Sequence, residues 1–309
     1  MARPKIAVLV GPTAVGKTAV ALELAEPLGA EIINADSLQL FRELDIGTAK
    51  PSPSERARVR HHLVDLVPPD EPFDAARYAR EARGIIESLT RRGVPPLVVG
   101  GTGLYIKALL HGLFSQDEAV LRVRSRLHKE LAEKGLPPLY ARLSAVDPET
   151  ARRLAPKDRY RILRALEVWE ATGRSLSHLH AAHGFKERPF QTLKLGLNLP
   201  REELYRRIET RVEAMLAQGW LEEVQRLLER YSPELKPLKS LGYRHLCEVL
   251  QGRLTLEEAI DLIKRDTRRY AKRQLTWFRA DPEILWFHPS QIREMRHRLQ
   301  QFFQSGIML

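Results

Sequence analysis

Residues 6–18 read IAVLVGPTAVGKT, an apolar run that ends abruptly in a glycine-rich loop carrying Lys17 and Thr18. The loop has the G-x-x-x-x-G-K-[ST] spacing, and a helical pattern, Ala19–Ala25, follows it. Gly11 and Gly16 permit backbone angles that side-chained residues resist, so the amides of Pro12-flanking residues Thr13, Ala14 and Val15 can converge on one anion. The helix that begins near Gly16 adds the partial positive charge of its N-terminus. Lys17 adds a full charge, and the Thr18 hydroxyl suits a magnesium ion. A buried strand feeding such a loop predicts an α/β fold and a chain that binds a di- or triphosphate.

Apolar strand candidates recur at Ile6–Val10, Glu31–Asn34, Pro96–Val99 and Thr192–Leu199, the last with Leu193, Leu195, Leu197 and Leu199 on one face. Helical stretches separate the first three, which predicts a βαβ series with parallel strands. Ligands of such sheets bind at the carboxyl ends of the strands. That rule gathers Gly11–Thr18, Asp36-Ser37 and Gly100-Gly101-Thr102 at one rim. Residues 113–190 carry helical periodicity without a strand, including Arg159–Thr172 with Ile162, Leu163, Leu166 and Trp169 on one face. The expected organisation is therefore a core of 1–112 and 191–309 with an all-helical lobe inserted at 113–190. Helical spacing returns at Glu202–Leu216 and Leu256–Leu275.

Charge adds a partner. The formal net charge is +11, and residues 112–193 carry 15 Lys and Arg against 10 Asp and Glu. A phosphate loop on a basic chain suggests a second, polyanionic ligand, although an arginine-rich solvated surface explains the composition equally. No apolar run reaches the roughly 20 residues of a membrane span. The start of the chain has no signal-peptide layout, and the single cysteine, Cys247, reads as a small core hydrophobe. A cytoplasmic protein is expected.

Two further blocks bear chemistry. In NADSLQLFRELDIGTAKP (34–51) a strand delivers Asp36 to the phosphate rim, followed by Ser37, Gln39 and Phe41. A carboxylate there serves as magnesium ligand, ribose contact or general base, or it simply caps the next helix. In PLVVGGTGLYIK (96–107) a strand ends in paired glycines and Thr102. That pattern implies close backbone approach, either to a ligand or to a neighbouring element.

These blocks, in this order, resemble the tRNA dimethylallyltransferase family of bacterial type. The motifs are GPTAVGKT (11–18), DSLQLFRELDIGTAKP (36–51), GGTGLYIKALLHGL (100–113) and RILRALEVWEATG (161–173). They continue with RIETRVEAMLAQG (207–219), KSLGYR (239–244) and TRRYAKRQLTWFR (267–279). The resemblance implies a P-loop, nucleotide-kinase-like parallel sheet with flanking helices, and transfer of a dimethylallyl group to N6 of adenosine 37 beside a tRNA anticodon. The donor would be dimethylallyl diphosphate. It departs from the family after Gly112, where GLFSQDEAVLR is short, and it lacks the zinc-finger extension of some eukaryotic relatives.

What the resemblance implies for the site is specific. Lys17, Asp36 and Thr102 are the expected catalytic residues, with Asp36 as base. The diphosphate would sit on Gly11, Pro12, Thr13, Ala14, Val15, Gly16, Lys17 and Thr18, with Mg2+ at Thr18. Arg211 is a further clamp, or a salt bridge within a helix that also carries Glu209 and Glu213. Contacts to the tRNA anticodon stem-loop are expected at Asp36, Ser37, Leu38, Gln39 and Thr102. In the lobe they fall at Arg124, Tyr160, Arg161, Ile162, Leu163 and Arg164, and elsewhere at Lys239, Gly242, Tyr243 and Arg244. Trp277 and Phe278 suit base stacking or a core. The protein is expected to act as a monomer away from membranes. The rival reading is a P-loop kinase of a small molecule or nucleotide, which leaves DIGTAKP and the basic lobe without a role.

Overall fold

In the computed structural model, which describes residues 3–112, 118–183 and 188–305, six strands form one parallel sheet. They are β1 (Lys5–Val10), β2 (Glu31–Asn34), β3 (His61–His62), β4 (Pro96–Gly100), β5 (Gln191–Leu197) and β6 (Ile284–Phe287), in the order β3-β2-β4-β1-β5-β6. The centre of the sheet belongs to the strands with continuous apolar runs, because a parallel sheet covered by helices on both faces buries both faces. Val10 pairs with Gly100 and Leu9 with Leu195, so the carboxyl ends of β1 and β4 are level.

Two strands escape the sequence reading. β3 is two residues long, too short for any periodicity, and β6 is an edge strand with an exposed Leu285. β5 carries Leu195 and Leu197 into the core, with Leu193 partly buried and Leu199 following beyond the strand. Between them Lys194 is buried, and its ammonium donates to Asp281 and Glu283, both at 2.7 Å. A buried cation is tolerated there because two carboxylates meet it.

The chain folds as two compact units, Met1–Leu110 with Arg188–Leu309, and His111–Glu187. The second is all helix among its described residues: Glu118–Lys134, Leu136–Val146, Pro148–Arg153, Arg159–Thr172 and Leu176–His183. Its core is Leu127, Leu131, Leu139, Leu143, Ile162 and Leu166 at helical spacing. Residues 113–117, part of the short segment after Gly112, lie outside the described residues. No helix among the described residues is long and apolar enough to cross a membrane. Cys247 is buried, and burial pushes its thiol up to about 11, which suits a core position.

Candidate active site

The phosphate loop takes the shape its sequence demands. Gly11 has φ +154° and closes on the Leu197 carbonyl, leaving no room for a Cβ, while Gly16 has φ +97° and caps the helix Lys17–Ala25. Ala14 is also left-handed, at φ 63°. Such a turn costs a side-chained residue about 1 kcal/mol or more and is typical of functional loops. Val15 plugs the core beneath it. Lys17 folds back over the loop and donates to the carbonyls of Gly11 (3.0 Å) and Pro12 (2.7 Å). Burial pulls its pKa down to about 8; Asp36 opposes that shift and Arg211 adds to it.

These groups line one cleft of about 1180 Å³. Arg211 lines it from the helix Arg201–Ala217, which buries Leu204, Ile208, Val212 and Met215, with Ile208, Val212 and Met215 also lining the cleft. Among the described residues no carboxylate pairs with its guanidinium. Burial lowers its pKa, and Asp36 offsets part of the effect. The helix's acids are engaged elsewhere, Glu209 with Arg268 and Glu213 with Lys264, so the salt-bridge alternative for Arg211 is not what the fold adopts.

Asp36 follows β2. Its Oδ1 accepts from the Leu38 amide (2.9 Å) in an Asx-type turn, and among the described residues nothing donates to Oδ2. The Thr102 hydroxyl accepts from the Ser37 amide (3.1 Å), and the Thr102 amide donates to Ala35 (3.2 Å). Thr102 thereby stitches the ends of β2 and β4 together beside Asp36. The glycines next to it serve packing: a Cβ at Gly100 would meet the Ala35 backbone, and one at Gly101 would meet Gln274. The close approach inferred from the paired glycines is to protein.

Sequence reasoning missed Gln274, which no recognisable signal marked beyond its place in TRRYAKRQLTWFR. It is buried on the helix Leu256–Arg279. Its Oε1 accepts from the Thr13 amide (2.8 Å), and its Nε2 donates to Gly101 (2.9 Å), tying the phosphate loop to the β4 turn. Phe278 is core, whereas Trp277 is 46% exposed beside Gly103. Tyr270 also lines the cleft, its hydroxyl pKa raised chiefly by burial and next by Asp36.

Several residues expected at the RNA are engaged within the protein. Tyr243 is fully buried and donates to Glu223 at 2.6 Å, and Gly242 packs against the Trp220 indole with no room for a Cβ. In KSLGYR only Lys239 and Arg244 remain exposed charges, paired with Glu234 and Asp266. In the lobe, the Ile162 and Leu163 side chains belong to the core. Arg124 grips the buried Glu167 through two nitrogens at 3.0 and 3.1 Å and so joins two of the lobe's helices, while Arg164 meets the same carboxylate from within its own helix. Tyr160, 80% exposed, and Arg161 stay on the surface.

The IPP transferase family model matches residues 39–281. A tRNA dimethylallyltransferase of Desulfosudis oleivorans is 54% identical over 306 residues, covering 98% of both chains. A solved tRNA isopentenylpyrophosphate transferase of Bacillus halodurans superimposes with a TM-score of 0.73 at 36% identity over 98% of each chain. A eukaryotic dimethylallyltransferase, solved acting on tRNA, reaches a TM-score of 0.81 at 28% identity over 96% of this chain and 77% of its own. With its phosphate loop, its Asp36 rim and its sheet in place, the chain belongs to the IPP transferase family.

Proposed function

We propose that this enzyme transfers the dimethylallyl group of dimethylallyl diphosphate to N6 of adenosine 37, next to the anticodon of tRNA, and releases diphosphate. One observation carries the reading: Lys17 and Arg211, which no carboxylate among the described residues pairs with, line the same cleft as the Asp36 carboxylate, whose Oδ2 has no donor among those residues. In the reaction the bond between the allylic carbon and the diphosphate oxygen breaks, and a bond from that carbon to N6 forms. The negative charge passes to diphosphate, where the loop amides, Lys17 and Arg211 neutralise it. The N6 proton passes to Asp36, a contribution worth roughly 10²–10⁴ in rate. Thr102 holds the β2 end that carries Asp36.

The Thr18 hydroxyl, which lines the cleft and has no hydrogen-bond partner among the described residues, fits a Mg2+ ion carried mainly by phosphate oxygens and water. When bound, the ion supplies further neutralisation of the leaving group. Among the described residues no cluster of three His, Cys, Asp or Glu side chains offers an all-protein metal cage. The target base must leave its stack to reach the cleft, with Ser37, Leu38 and Gln39 beside it and the exposed Tyr160, Arg161, Lys239 and Arg244 toward RNA. We read the protein as a cytoplasmic monomer, and sedimentation at micromolar concentration checks the monomer.

A kinase reading is not favoured by family membership. Thermal protection separates the two, since any ligand of the folded state raises its melting temperature. Dimethylallyl diphosphate with magnesium is expected to stabilise the protein more than ATP with magnesium at equal concentration. The reverse order would contradict the proposal.

A further inference from the structure

The loop Asp45–Lys50 is held by more buried charge than a surface connection needs. The Glu223 carboxylate, 3% exposed on the helix Trp220–Leu228, accepts from the amides of Asp45 (2.9 Å), Ile46 (2.7 Å) and Gly47 (3.3 Å), and from the Tyr243 hydroxyl (2.6 Å). The Trp220 indole packs between Gly47 and Gly242. At the other end, the buried Lys50 ammonium donates to the Phe41 carbonyl (2.8 Å) and to Asp45 and Asp65 (2.6 Å each). Ala49 is driven into the left-handed region, φ 47°, a strain that persists only where the surroundings over-determine it.

The outcome of this clamp is two adjacent carbonyls, Thr48 and Ala49, aimed at one side chain. Both accept from Gln39 Nε2, at 3.1 and 3.2 Å. A flipped amide would set oxygen against two oxygens, so the orientation is determined. Gln39 therefore lines the cleft with its donors spent and Oε1 as its only unspent group.

We infer that Glu223 is a positioning residue for base selection: it fixes the 45–47 amides, hence the Thr48 and Ala49 carbonyls, hence a Gln39 that can only accept. Such a face takes the exocyclic amine of an adenine and rejects the keto oxygen of hypoxanthine, since two acceptors face each other unpaired. This rests on the proposed transfer to an adenine in RNA.

The test uses the full chain and two anticodon stem-loops that differ only in adenosine or inosine at the target position. Competition binding is measured for the wild type, Glu223→Gln, Gln39→Ala and the double variant, alongside the affinity for dimethylallyl diphosphate. The wild type is expected to favour the adenosine RNA by about tenfold or more, the loss of one hydrogen bond with its partner left buried. Both single variants lower the ratio, leaving the share that Asp36 supplies as a second acceptor at the same amine, and the double variant lowers it no further, the signature of residues acting as one unit. Donor affinity stays within about twofold. A Glu223→Gln protein that melts earlier yet keeps the wild-type ratio, additive effects in the double variant, or no discrimination by the wild type would each overturn the inference. If Glu223→Gln does not fold, Tyr243→Phe removes one of its four donors; a reduced ratio supports the assignment and an unchanged one overturns it. Failure of the function itself would show separately, as adenosine RNA and donor bound together without transfer.

Discussion

At the scale of single residues, the cleft holds two buried cations, Lys17 and Arg211, that the fold keeps at a cost. Lys17 has a folded pKa near 8, below its ordinary 10.5, because it is buried with Arg211 nearby. A base whose pKa is lowered by folding destabilises the fold wherever the folded protein must hold its charged form, and stability recovers with rising pH over the range where the unfolded chain carries more protons. That penalty is fully present below pH 8 and fades as the pH rises from 8 toward 10.5. Lys17→Met is accordingly expected to raise the melting temperature at pH 7 by at least about 2 °C, while abolishing diphosphate binding measured by calorimetry. The wild-type affinity for diphosphate should fall as the pH passes about 8, since the neutral amine no longer attracts the anion. A flat profile from pH 7 to 9.5 would deny Lys17 the role. Asp36 acts on the other partner. Asp36→Ala should leave donor affinity nearly intact and cut single-turnover transfer by at least about a hundredfold.

At the scale of elements, glycine spacing separates structure from site. Gly47 has no room for a Cβ beside Trp220, so Gly47→Ala should cost about 1–3 kcal/mol in urea unfolding, as overpacking does. Gly84, inside the helix Ala75–Arg91 with nothing near its Cβ position, should gain about 0.5–1 kcal/mol on becoming alanine. Gln274→Ala removes the tie between the Thr13 amide and Gly101. It should lower stability by about 1–3 kcal/mol and weaken diphosphate binding, because the loop is no longer held in shape before binding. Much of this layer was legible. The apolar runs of β1, β2 and β4 and the 3.6-residue periods of Arg159–Thr172 and Arg201–Ala217 set the architecture. What stayed hidden depends on pairing across distance. β3 has no local pattern, Lys194 interrupts an apolar strand for carboxylates 87 and 89 residues away, and Gln274 is polar for partners on two other elements. KSLGYR misled for the same reason. Its Tyr243 looks like a surface aromatic until Glu223 is found beneath it.

At the scale of the whole molecule, a net charge of +11 favours a polyanion, and that attraction is electrostatic and screened. Raising salt from 50 to 200 mM should weaken binding of an anticodon stem-loop by roughly tenfold or more, by filter binding, while hardly changing the affinity of a buried diphosphate. Within the lobe, much of the basic charge is spent internally: Arg124 and Arg164 on Glu167, Arg142 on Glu130 and Glu170. The lobe's count of basic residues therefore overstates what it offers to RNA, which is why the sequence located the partner surface more broadly than the fold supports. On the proposed reading, the carboxylate and the cation pair of one cleft move an isoprenoid group onto an adenine. Incubating the protein with labelled dimethylallyl diphosphate and unmodified tRNA, then digesting the RNA to nucleosides, measures it directly. The label is predicted to appear in a single N6-alkylated adenosine, with one diphosphate released for each. Unlabelled nucleosides, or label on phosphate esters instead of N6, would contradict it.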